Sequence, residues 1–190
     1  ELPDDWLQPN NWLVDTGHSF EVMFGFGHLR AKLLDIDVPG YGGKVKNRLH
    51  LFDLDGVDPS IITDGIAFDK EDLAHNLTLF LYPDDSDHKG RMLRIYQQYF
   101  LVSCAAQLIL GDLAAAGRTL RELPDAVAIQ INDTHPSMII PELVRRLMAQ
   151  GIPFDEAADL VTRTCAYTNH TILAEALEKW PLADLATAVP

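Results

Sequence analysis

The 190-residue sequence predicts an α/β protein built around a doubly wound parallel sheet. Residues 126–131 form a short apolar run, which is typical of a parallel strand that is buried on both faces. Two segments with helical periodicity, residues 137–150 and 154–164, follow this run, and a weaker strand pattern covers residues 165–168. A strand, helices and a second strand make a right-handed crossover unit, which is the building block of such sheets.

The first part of the chain predicts strands. Residues 1–19 are expected to be an irregular lead-in, because they show no clear period. Alternation at period two predicts strands over residues 20–37, including the two glycines at positions 25 and 27. A loop rich in proline and glycine at residues 38–43 separates this region from another predicted strand at residues 46–53.

The middle of the chain predicts a helix and then a polar turn. Apolar residues at helical spacing predict a helix over residues 69–81, with Asp69 as its N-cap. Residues 82–90 are strongly polar and include the acidic stretch 84–87. This stretch lacks the ligand spacing of a helix–loop–helix calcium site. It is either an ordinary solvated turn or a mobile gate beside a crevice.

Two further helices are predicted. The longest helical pattern covers residues 91–116, with Gly111 as a kink or an early end and Gly117 as the stop. A short helix is predicted over residues 175–180, where Pro181 would stop it.

Composition and charge limit the classes of partner. Hydrophobic residues make up 47% of the chain, which is typical of a globular domain. Lysine and arginine total 15 while aspartate and glutamate total 28, so the formal net charge is −13. Nucleic acids and anionic membranes bind basic surfaces, so this balance argues against both partners. We also expect no membrane span, because no apolar run approaches the roughly 20 residues that one needs.

The cysteines and the first residues bear on location. Cys104 and Cys165 lie among apolar residues, which favours free buried thiols over a disulfide and therefore a reducing, cytoplasmic setting. The first residues are acidic, form no basic and apolar leader and include no initial methionine. We therefore expect the chain to be trimmed or excised.

Polar residues follow both strands of the crossover unit. Residues 132–136 (Asn-Asp-Thr-His-Pro) follow the first strand, and residues 169–171 (Asn-His-Thr) follow the second. Ligands bind at the carboxyl ends of such strands, so both clusters are expected to open onto one crevice. Their carboxylate, imidazole, carboxamide and hydroxyl groups suit the many hydroxyls of a sugar, because each unmet hydrogen-bond partner costs about 1–3 kcal/mol.

The same residues allow other roles. Asp133 or Thr134 would also serve as the N-cap of the next helix, and Asn169 would only end a strand. Asp133, His135 and His170 would also make a three-ligand zinc centre, although no His-x-x-x-His or Cys-x-x-Cys spacing is present. Gly-x-Ser-x-Gly, Gly-x-Gly-x-x-Gly and P-loop motifs are missing from the sequence as well.

Two long strings resemble the α-glucan phosphorylase family, which acts on glycogen, starch or maltodextrin. Residues 128–136 read Ala-Ile-Gln-Ile-Asn-Asp-Thr-His-Pro and are followed by Ile-Pro-Glu-Leu at 140–143. Residues 166–173 read Ala-Tyr-Thr-Asn-His-Thr-Ile-Leu and continue to Glu-Ala-Leu-Glu-Lys-Trp-Pro at 175–181. Weaker matches around residues 4–12, 37–41 and 82–100 extend the resemblance over nearly the whole chain.

The resemblance implies that residues 1–190 are a partial N-terminal domain of a two-domain enzyme with the GT-B glycosyltransferase fold. Such an enzyme uses inorganic phosphate to release terminal α-1,4-linked glucose as glucose 1-phosphate with retained configuration. It also implies pyridoxal phosphate as cofactor, yet no segment here matches the family's cofactor lysine, its basic phosphate-binding residues or its glycine-rich loop. We therefore expect the C-terminal cofactor domain to be absent, this chain alone to be inactive and the complete enzyme to be a homodimer.

The resemblance also implies roles for individual residues. His170 matches the histidine that holds the 6-hydroxyl of the reacting glucose close to its anomeric carbon, and it is the predicted catalytic residue. Asp133 and His135 match residues on the glucan side of the pocket. Glu178 matches a residue of an adjoining inner cavity, and Asp85 matches the aspartate of a gate loop. The predicted substrate-binding residues are Asp133, His135, Asn169, Thr171, Asp85 and Glu178.

The sequence departs from the family pattern at three places. Residues 86–88 (Ser-Asp-His) stand where the gate has asparagine and aromatic residues. Gly111 and Asp112 replace a pair of arginines of the nucleotide-activated animal enzymes, and an acidic side chain does not bind phosphate, so we expect no such activation. Ala174 replaces a proline, a change that should be tolerated.

Two other functions fit the sequence. One is a stand-alone glucan-binding module without catalysis, and the other is a metal-dependent hydrolase that uses Asp133, His135 and His170. For the phosphorylase, the expected partners are an α-1,4-glucan, inorganic phosphate and the rest of the phosphorylase chain.

Overall fold

The computed structural model of the protein describes residues 13–56, 72–79, 83–173 and 177–189. The chain divides into two compact units, residues 1–97 with 186–190 and residues 98–185. Strands and helices are mixed, as the α/β prediction requires. The elements in chain order are β1 (Leu13–Phe24), β2 (Gly27–Pro39), β3 (Lys46–Leu54), α1 (Leu73–Asn76), α2 (His88–Ala115), α3 (Leu123–Ala126), β4 (Ile129–Asn132), α4 (Ile139–Ala149), α5 (Phe154–Thr164), β5 (Cys165–Thr168) and α6 (Leu182–Ala188).

The first unit contains an antiparallel sheet with the order β1-β2-β3. Both predicted strand regions are confirmed, but the predicted lead-in is wrong from Leu13 onwards, where β1 begins. A bulge between Asp15 and Ser19 breaks the two-residue period and hides the strand from the sequence pattern. Gly17 adopts φ +74° in this bulge, and its N–H donates to the Asp15 carboxylate at 2.9 Å.

A tight turn at Gly25 and Phe26 joins β1 to β2, where the alternation predicts continuous strand. The rings of Phe24 and Phe26 stack with centroids 5.1 Å apart, and Tyr96 meets both rings edge-on. This aromatic group lies at the hairpin end of the sheet. Among the described residues of the unit, the buried apolar ones are Val22, Phe24, Ala31, Leu33, Leu54, Leu77, Leu93, Ile95 and Ala188.

The helix predicted over residues 69–81 is much shorter in the described residues. α1 is a single turn that ends at Asn76. The carbonyl of Leu77 accepts a hydrogen bond from the Gln97 carboxamide at 3.1 Å. In a longer helix this carbonyl would accept a backbone N–H of the next turn, so the tertiary contact replaces a helical hydrogen bond. The predicted N-cap, Asp69, lies outside the described residues.

α2 begins three residues before the predicted start. Asp87 is its N-cap, because its carboxylate accepts the N–H of Gly90 at 2.7 Å. The helix continues through Gly111, so the glycine does not end it. The predicted stop at Gly117 is confirmed: this residue has φ +72°, and its N–H donates to the Ala114 carbonyl at 2.9 Å.

Among the described helices, α2 alone is long and apolar enough to cross a membrane by length and composition. This finding corrects the expectation that no apolar run approaches that length. Half of its most apolar 18-residue window is buried inside the protein itself, and the helix carries the buried polar residues Gln98 and Ser103. Core helices of globular proteins pass the same test, so length and composition alone do not indicate a membrane span.

The second unit confirms the predicted crossover. β4 and β5 pair in parallel, from Ile129 opposite Cys165 to Asn132 opposite Thr168, and α4 and α5 connect them. α5 and β5 have the predicted bounds. β4 begins later than predicted because residues 123–126 form α3, a single unpredicted turn. The core of the unit consists of Val102, Ala106, Leu110, Leu113, Leu123, Ile131, Ile139, Leu143, Leu147, Ile152, Ala157, Leu160 and Val161.

The helix predicted over residues 175–180 is wrong for residues 177–180, which are not helical; the rest of that range lies outside the described residues. A helix instead follows Pro181, whose carbonyl accepts the N–H groups of Asp184 and Leu185 at 3.0 and 3.1 Å. Proline is suited to a helix start because its fixed φ matches the helix and no N–H partner is needed there. Pro181 therefore precedes α6 and does not terminate an earlier helix.

Both cysteines are free, as predicted, with Cys104 buried and Cys165 half-buried. Burial raises the pKa of the Cys104 thiol to about 12, although the charge of Arg146 opposes this effect. Burial also raises the pKa of Cys165. Neither thiol is an activated nucleophile.

Candidate functional site

The two polar clusters lie side by side at the carboxyl ends of β4 and β5, as predicted. Asn132 is opposite Thr168 in the parallel register, and the N–H of Asp133 donates to the Thr168 carbonyl at 2.8 Å. The side chain of Gln130 also donates to the Thr168 hydroxyl at 2.9 Å. The strand pairing thus extends past the last residues of the strands and fixes where the loops begin.

Asp133 joins the two clusters through its side chain. Its Oδ1 accepts the backbone N–H of His170 at 2.8 Å. Asp133 has φ +61°, a left-handed conformation that most residues avoid but aspartate tolerates. The prediction that Asp133 or Thr134 caps the next helix is wrong, because the N-cap of α4 is Met138 and its side chain forms no capping hydrogen bond.

The imidazoles of His135 and His170 are both exposed. Neither ring forms a hydrogen bond to any described residue, so both can bind a ligand. Asn169 is exposed as well, and its Oδ1 accepts the N–H of Thr171 at 2.9 Å. This bond shapes the loop beside His170 and uses one of the two polar groups of the Asn169 carboxamide.

Glu178 is held by a buried residue of α2. Its Oε2 accepts a hydrogen bond from Nε2 of Gln98 at 2.7 Å, and Oε1 of Gln98 accepts the indole N–H of Trp180 at 3.3 Å. Gln98 is only 6% exposed. Sequence reasoning assigned no role to Gln98. The available signal was a carboxamide among the apolar residues of a core helix.

The polar turn, described over residues 83–90, belongs to the first unit and contains hydrogen bonds between its own residues. Asp84 accepts both the N–H and the hydroxyl of Ser86 at 3.0 Å, and Asp87 caps α2. The predicted gate residue, Asp85, is exposed and its carboxylate bonds to no described residue. A substrate role for Asp85 stays a prediction.

Glu142 forms a buried ion-pair network that sequence reasoning missed. The carboxylate is 3% exposed and accepts hydrogen bonds from Arg145 (2.8 and 2.9 Å), Arg146 (2.6 Å) and Tyr99 (3.3 Å). Burial raises the pKa of Glu142, but the hydrogen bonds and charges of the two arginines outweigh burial and bring the pKa below its ordinary value. The signal was the spacing of Glu142 and the two arginines, three and four residues apart on one helix.

The geometry does not support the zinc alternative. No group of three His, Cys, Asp or Glu side chains within the described ranges lies close enough to hold a metal ion. The Asp133 carboxylate is also already bonded to a backbone N–H.

A shallow apolar groove of about 480 Å³ lies on α4 and α5, and it contains none of the predicted site residues. It is lined by Ile140, Pro141, Val144, Arg145, Met148, Phe154, Ala158, Val161 and Thr162. The directional polar groups that suit a sugar lie at the strand ends instead.

Comparison with known proteins decides the family, because the carbohydrate phosphorylase profile matches residues 1–190. The chain belongs to the carbohydrate phosphorylase family. It is 59% identical over 189 residues to maltodextrin phosphorylase of Streptococcus pneumoniae. The alignment covers 100% of this chain and 25% of that protein.

More distant relatives of this carbohydrate phosphorylase chain agree. It is 36% identical to the alpha-glucan phosphorylase H isozyme of Solanum tuberosum and 35% identical to the muscle form of glycogen phosphorylase of Homo sapiens. Each alignment covers 100% of this chain and 26% of the relative. The chain therefore spans about a quarter of the length of these relatives.

Proposed function

We propose that this chain is part of an α-glucan phosphorylase that releases terminal α-1,4-linked glucose from maltodextrin or glycogen. In this reaction an oxygen of inorganic phosphate bonds to the anomeric carbon, the glycosidic bond breaks and the departing glucan oxygen gains a proton. Family membership over residues 1–190 and 59% identity to a protein named maltodextrin phosphorylase support the proposal. The observation that carries it is the bond from the His170 N–H to Asp133, which sets an exposed imidazole at the adjoining strand ends.

His170 is the proposed catalytic residue. A neutral imidazole has one donor and one acceptor, so it can bond a sugar hydroxyl and hold the ring in one orientation. Asp133 holds the backbone of His170, and His135, Asn169 and Thr171 offer further polar groups to the sugar. Asp85 and Glu178 complete the proposed set of substrate contacts.

Pyridoxal phosphate is the proposed cofactor of the complete enzyme, where its phosphate group would take part in proton transfer. The residues of the second unit do not fit this group. Lys179 is the sole lysine in the sequence of residues 98–185, and its side chain is exposed next to Glu178. The strand-end clusters contain no lysine or arginine that would hold a phosphate. We therefore assign the cofactor and inorganic phosphate to another part of the protein.

We also propose a GT-B arrangement in which the β4–α4–α5–β5 crossover belongs to a Rossmann-like N-terminal domain. The parallel pairing of β4 and β5 supports this assignment. A homodimer and a cytoplasmic location are proposed on the family resemblance and, for the location, on the free buried cysteines.

The test uses the full gene product with maltodextrin and inorganic phosphate and measures glucose 1-phosphate. We expect His170→Ala to lower kcat/KM by more than about 100-fold, because a lost orienting contact acts directly on the reacting sugar. His28→Ala is the matched control, because His28 is an exposed histidine of β2 in the other unit, and it should keep wild-type activity.

Other outcomes point to other functions. Maltodextrin binding without glucose 1-phosphate would favour the glucan-binding module. Activity that a chelator abolishes would favour a metal-dependent enzyme. Unchanged activity of His170→Ala would remove His170 from the proposed mechanism.

A further inference from the structure

The loop that carries His170 is held at both ends by side chains from distant parts of the chain. We call residues 169–173 and 177–180 the β5 loop. At its start, Asp133 accepts the His170 N–H at 2.8 Å. At its end, Gln98 of α2 bonds to Glu178 and Trp180 at 2.7 and 3.3 Å. Both attachments lie within the second unit, residues 98–185.

The Gln98 carboxamide donates one hydrogen bond and accepts another. Its Nε2 donates to the Glu178 carboxylate, and its Oε1 accepts the Trp180 indole N–H. If the carboxamide were turned over, its NH2 group would face the indole N–H and its oxygen would face the carboxylate, so both contacts would be repulsive. One orientation is therefore strongly preferred, and it holds one carboxylate oxygen of Glu178 in place.

The burial of Gln98 makes the loss of these two hydrogen bonds costly. Gln98 is 6% exposed, so solvent does not readily replace either partner when the carboxamide is lost. A longer or shorter side chain, or one that only donates or only accepts, would leave Glu178 or Trp180 without this bond. The arrangement needs a side chain of this length that donates and accepts at once, and an amide meets that need at every pH.

We propose that Gln98 is a positioning residue of the phosphorylase site, which orients Glu178 and fixes the end of the β5 loop. The inference rests on the proposed function for its activity measurement. Gln98 acts through Glu178 and the loop that carries His170, and it contacts no reacting atom. It extends the site from the two strand ends to the middle of the core helix α2.

The first experiment replaces Gln98 in the full gene product by methionine, which has similar length and no comparable hydrogen-bonding group. We expect kcat/KM for maltodextrin to fall roughly tenfold or more, because two bonds to the β5 loop are lost together. Hydrogen–deuterium exchange of peptides covering the β5 loop should become faster. Gln107→Met is the matched control, because Gln107 lies on the same helix and its carboxamide bonds to the carbonyl of Ser103.

The second experiment uses Gln98→Glu and gives a pH signature that a general packing role would not produce. When protonated, the introduced carboxyl group donates through its O–H and accepts through its carbonyl, as the amide does. When ionised, it can only accept, and it repels the Glu178 carboxylate, so its pKa should be raised. The activity of this variant relative to wild type should therefore rise as the pH falls, whereas Gln107→Glu should show a constant ratio.

The readouts separate failure of this inference from failure of the proposed function. Unchanged kinetics and unchanged exchange in Gln98→Met, together with a flat pH ratio in Gln98→Glu, would overturn the positioning role while the wild-type enzyme still makes glucose 1-phosphate. If the wild type makes none, the proposed function fails, and loop exchange in the two variants still tests the attachment. If Gln98→Met does not fold, the pH ratio of Gln98→Glu and the exchange of Trp180→Phe, which keeps an aromatic ring but lacks the indole N–H, decide the question.

Discussion

The β5 loop and the polar turn at residues 83–90 are both exposed and rich in hydrogen-bonding groups, but they are held in different ways. Side chains attach the β5 loop to residues 37 and 80 positions away in the sequence. The polar turn contains short-range hydrogen bonds between residues two to six positions apart, such as Asp84 with Ser86 and Asp87 with Gly90. The position of a loop that is bonded to distant residues depends on the packing of the elements that carry those residues.

The largest expected effect is on the buried ion-pair network of Glu142 on α4. Glu142→Ala leaves two arginines without their buried partner and should lower the free energy of unfolding by about 3–5 kcal/mol. Denaturant unfolding of the full gene product, with exchange of α4 peptides to localise the effect, measures this change. Glu156→Ala removes the exposed pair with Arg121 and should cost less than about 1 kcal/mol. Equal effects of the two variants would contradict the role of burial.

The same carboxylate predicts a pH dependence. The pKa of Glu142 is lowered in the folded protein, so its stabilising contribution is complete above the ordinary pKa near 4.5 and is lost as the pH falls through the lower folded pKa. The denaturation midpoint of wild type should therefore fall more steeply than that of Glu142→Gln between about pH 5 and about pH 3. Parallel pH curves would show that Glu142 does not contribute to acid sensitivity.

The next effect breaks the attachment at the start of the β5 loop. Asp133→Ala removes the acceptor for the His170 N–H and places alanine at φ +61°, so kcat/KM should fall roughly 10- to 100-fold. Asp133→Asn keeps the acceptor oxygen and tolerates the conformation, and it should retain most activity. Asp133→Gly also removes the acceptor, but glycine adopts φ +61° without strain. Comparing it with Asp133→Ala therefore separates the effect of backbone strain from the effect of the lost bond. A loss in Asp133→Asn as large as in Asp133→Ala would mean that the charge, and not the attachment, is required.

A smaller effect is expected in the polar turn. A methyl group on Gly90 would overlap the backbone of Asp84 and Asp85 in the polar turn. Gly90→Ala should therefore lower the free energy of local opening by about 1–3 kcal/mol, measured by exchange of peptides over residues 83–100. Gly111→Ala on the same helix meets no atom within 4 Å and should be neutral or stabilising. Unchanged exchange over residues 83–100 in Gly90→Ala would contradict the predicted overlap with Asp84 and Asp85.

The smallest effect concerns the cap of α2. Asp87→Ala removes the acceptor for the Gly90 N–H and should lower local stability by about 1 kcal/mol. Asp87→Asn keeps a capping oxygen and should exchange like wild type in the first turn of the helix. Identical protection in Asp87→Ala would show that the cap does not stabilise α2.

The crossover unit was predictable because each of its elements obeys a local rule. The apolar face of α5 and Ile131 of β4 pack in one core, and two parallel neighbouring strands need a crossover connection between them. Only Ile131 of β4 is buried, so the prediction of a fully buried strand is wrong. The bulge in β1 and the early end of α1 were not predictable in this way. A glycine turn and a contact from Gln97 decide them, and neither has a periodic signal in the sequence.

The sequence predicted which polar clusters come together in the candidate site, but it did not predict the hydrogen bonds between their residues. Strand ends placed Asp133 and His170 together, since parallel neighbours end at the same edge of a sheet. The sequence could not show that the carboxylate of Asp133 is used by a backbone N–H and that its φ is positive. Gln98 was missed because its partners lie 80 and 82 residues away, a distance over which no spacing rule operates.

The raised pKa of Cys104 makes this thiol a probe of how often the core around α2 opens. With a pKa of about 12, only about one thiol in 10⁵ is ionised at neutral pH while the helix stays packed. An alkylating reagent that consumes thiolates should therefore spare Cys104 in the closed protein and label it each time the core around α2 opens. The labelling rate of this one sulfur, followed by mass spectrometry, would report how often the packing around Cys104 opens.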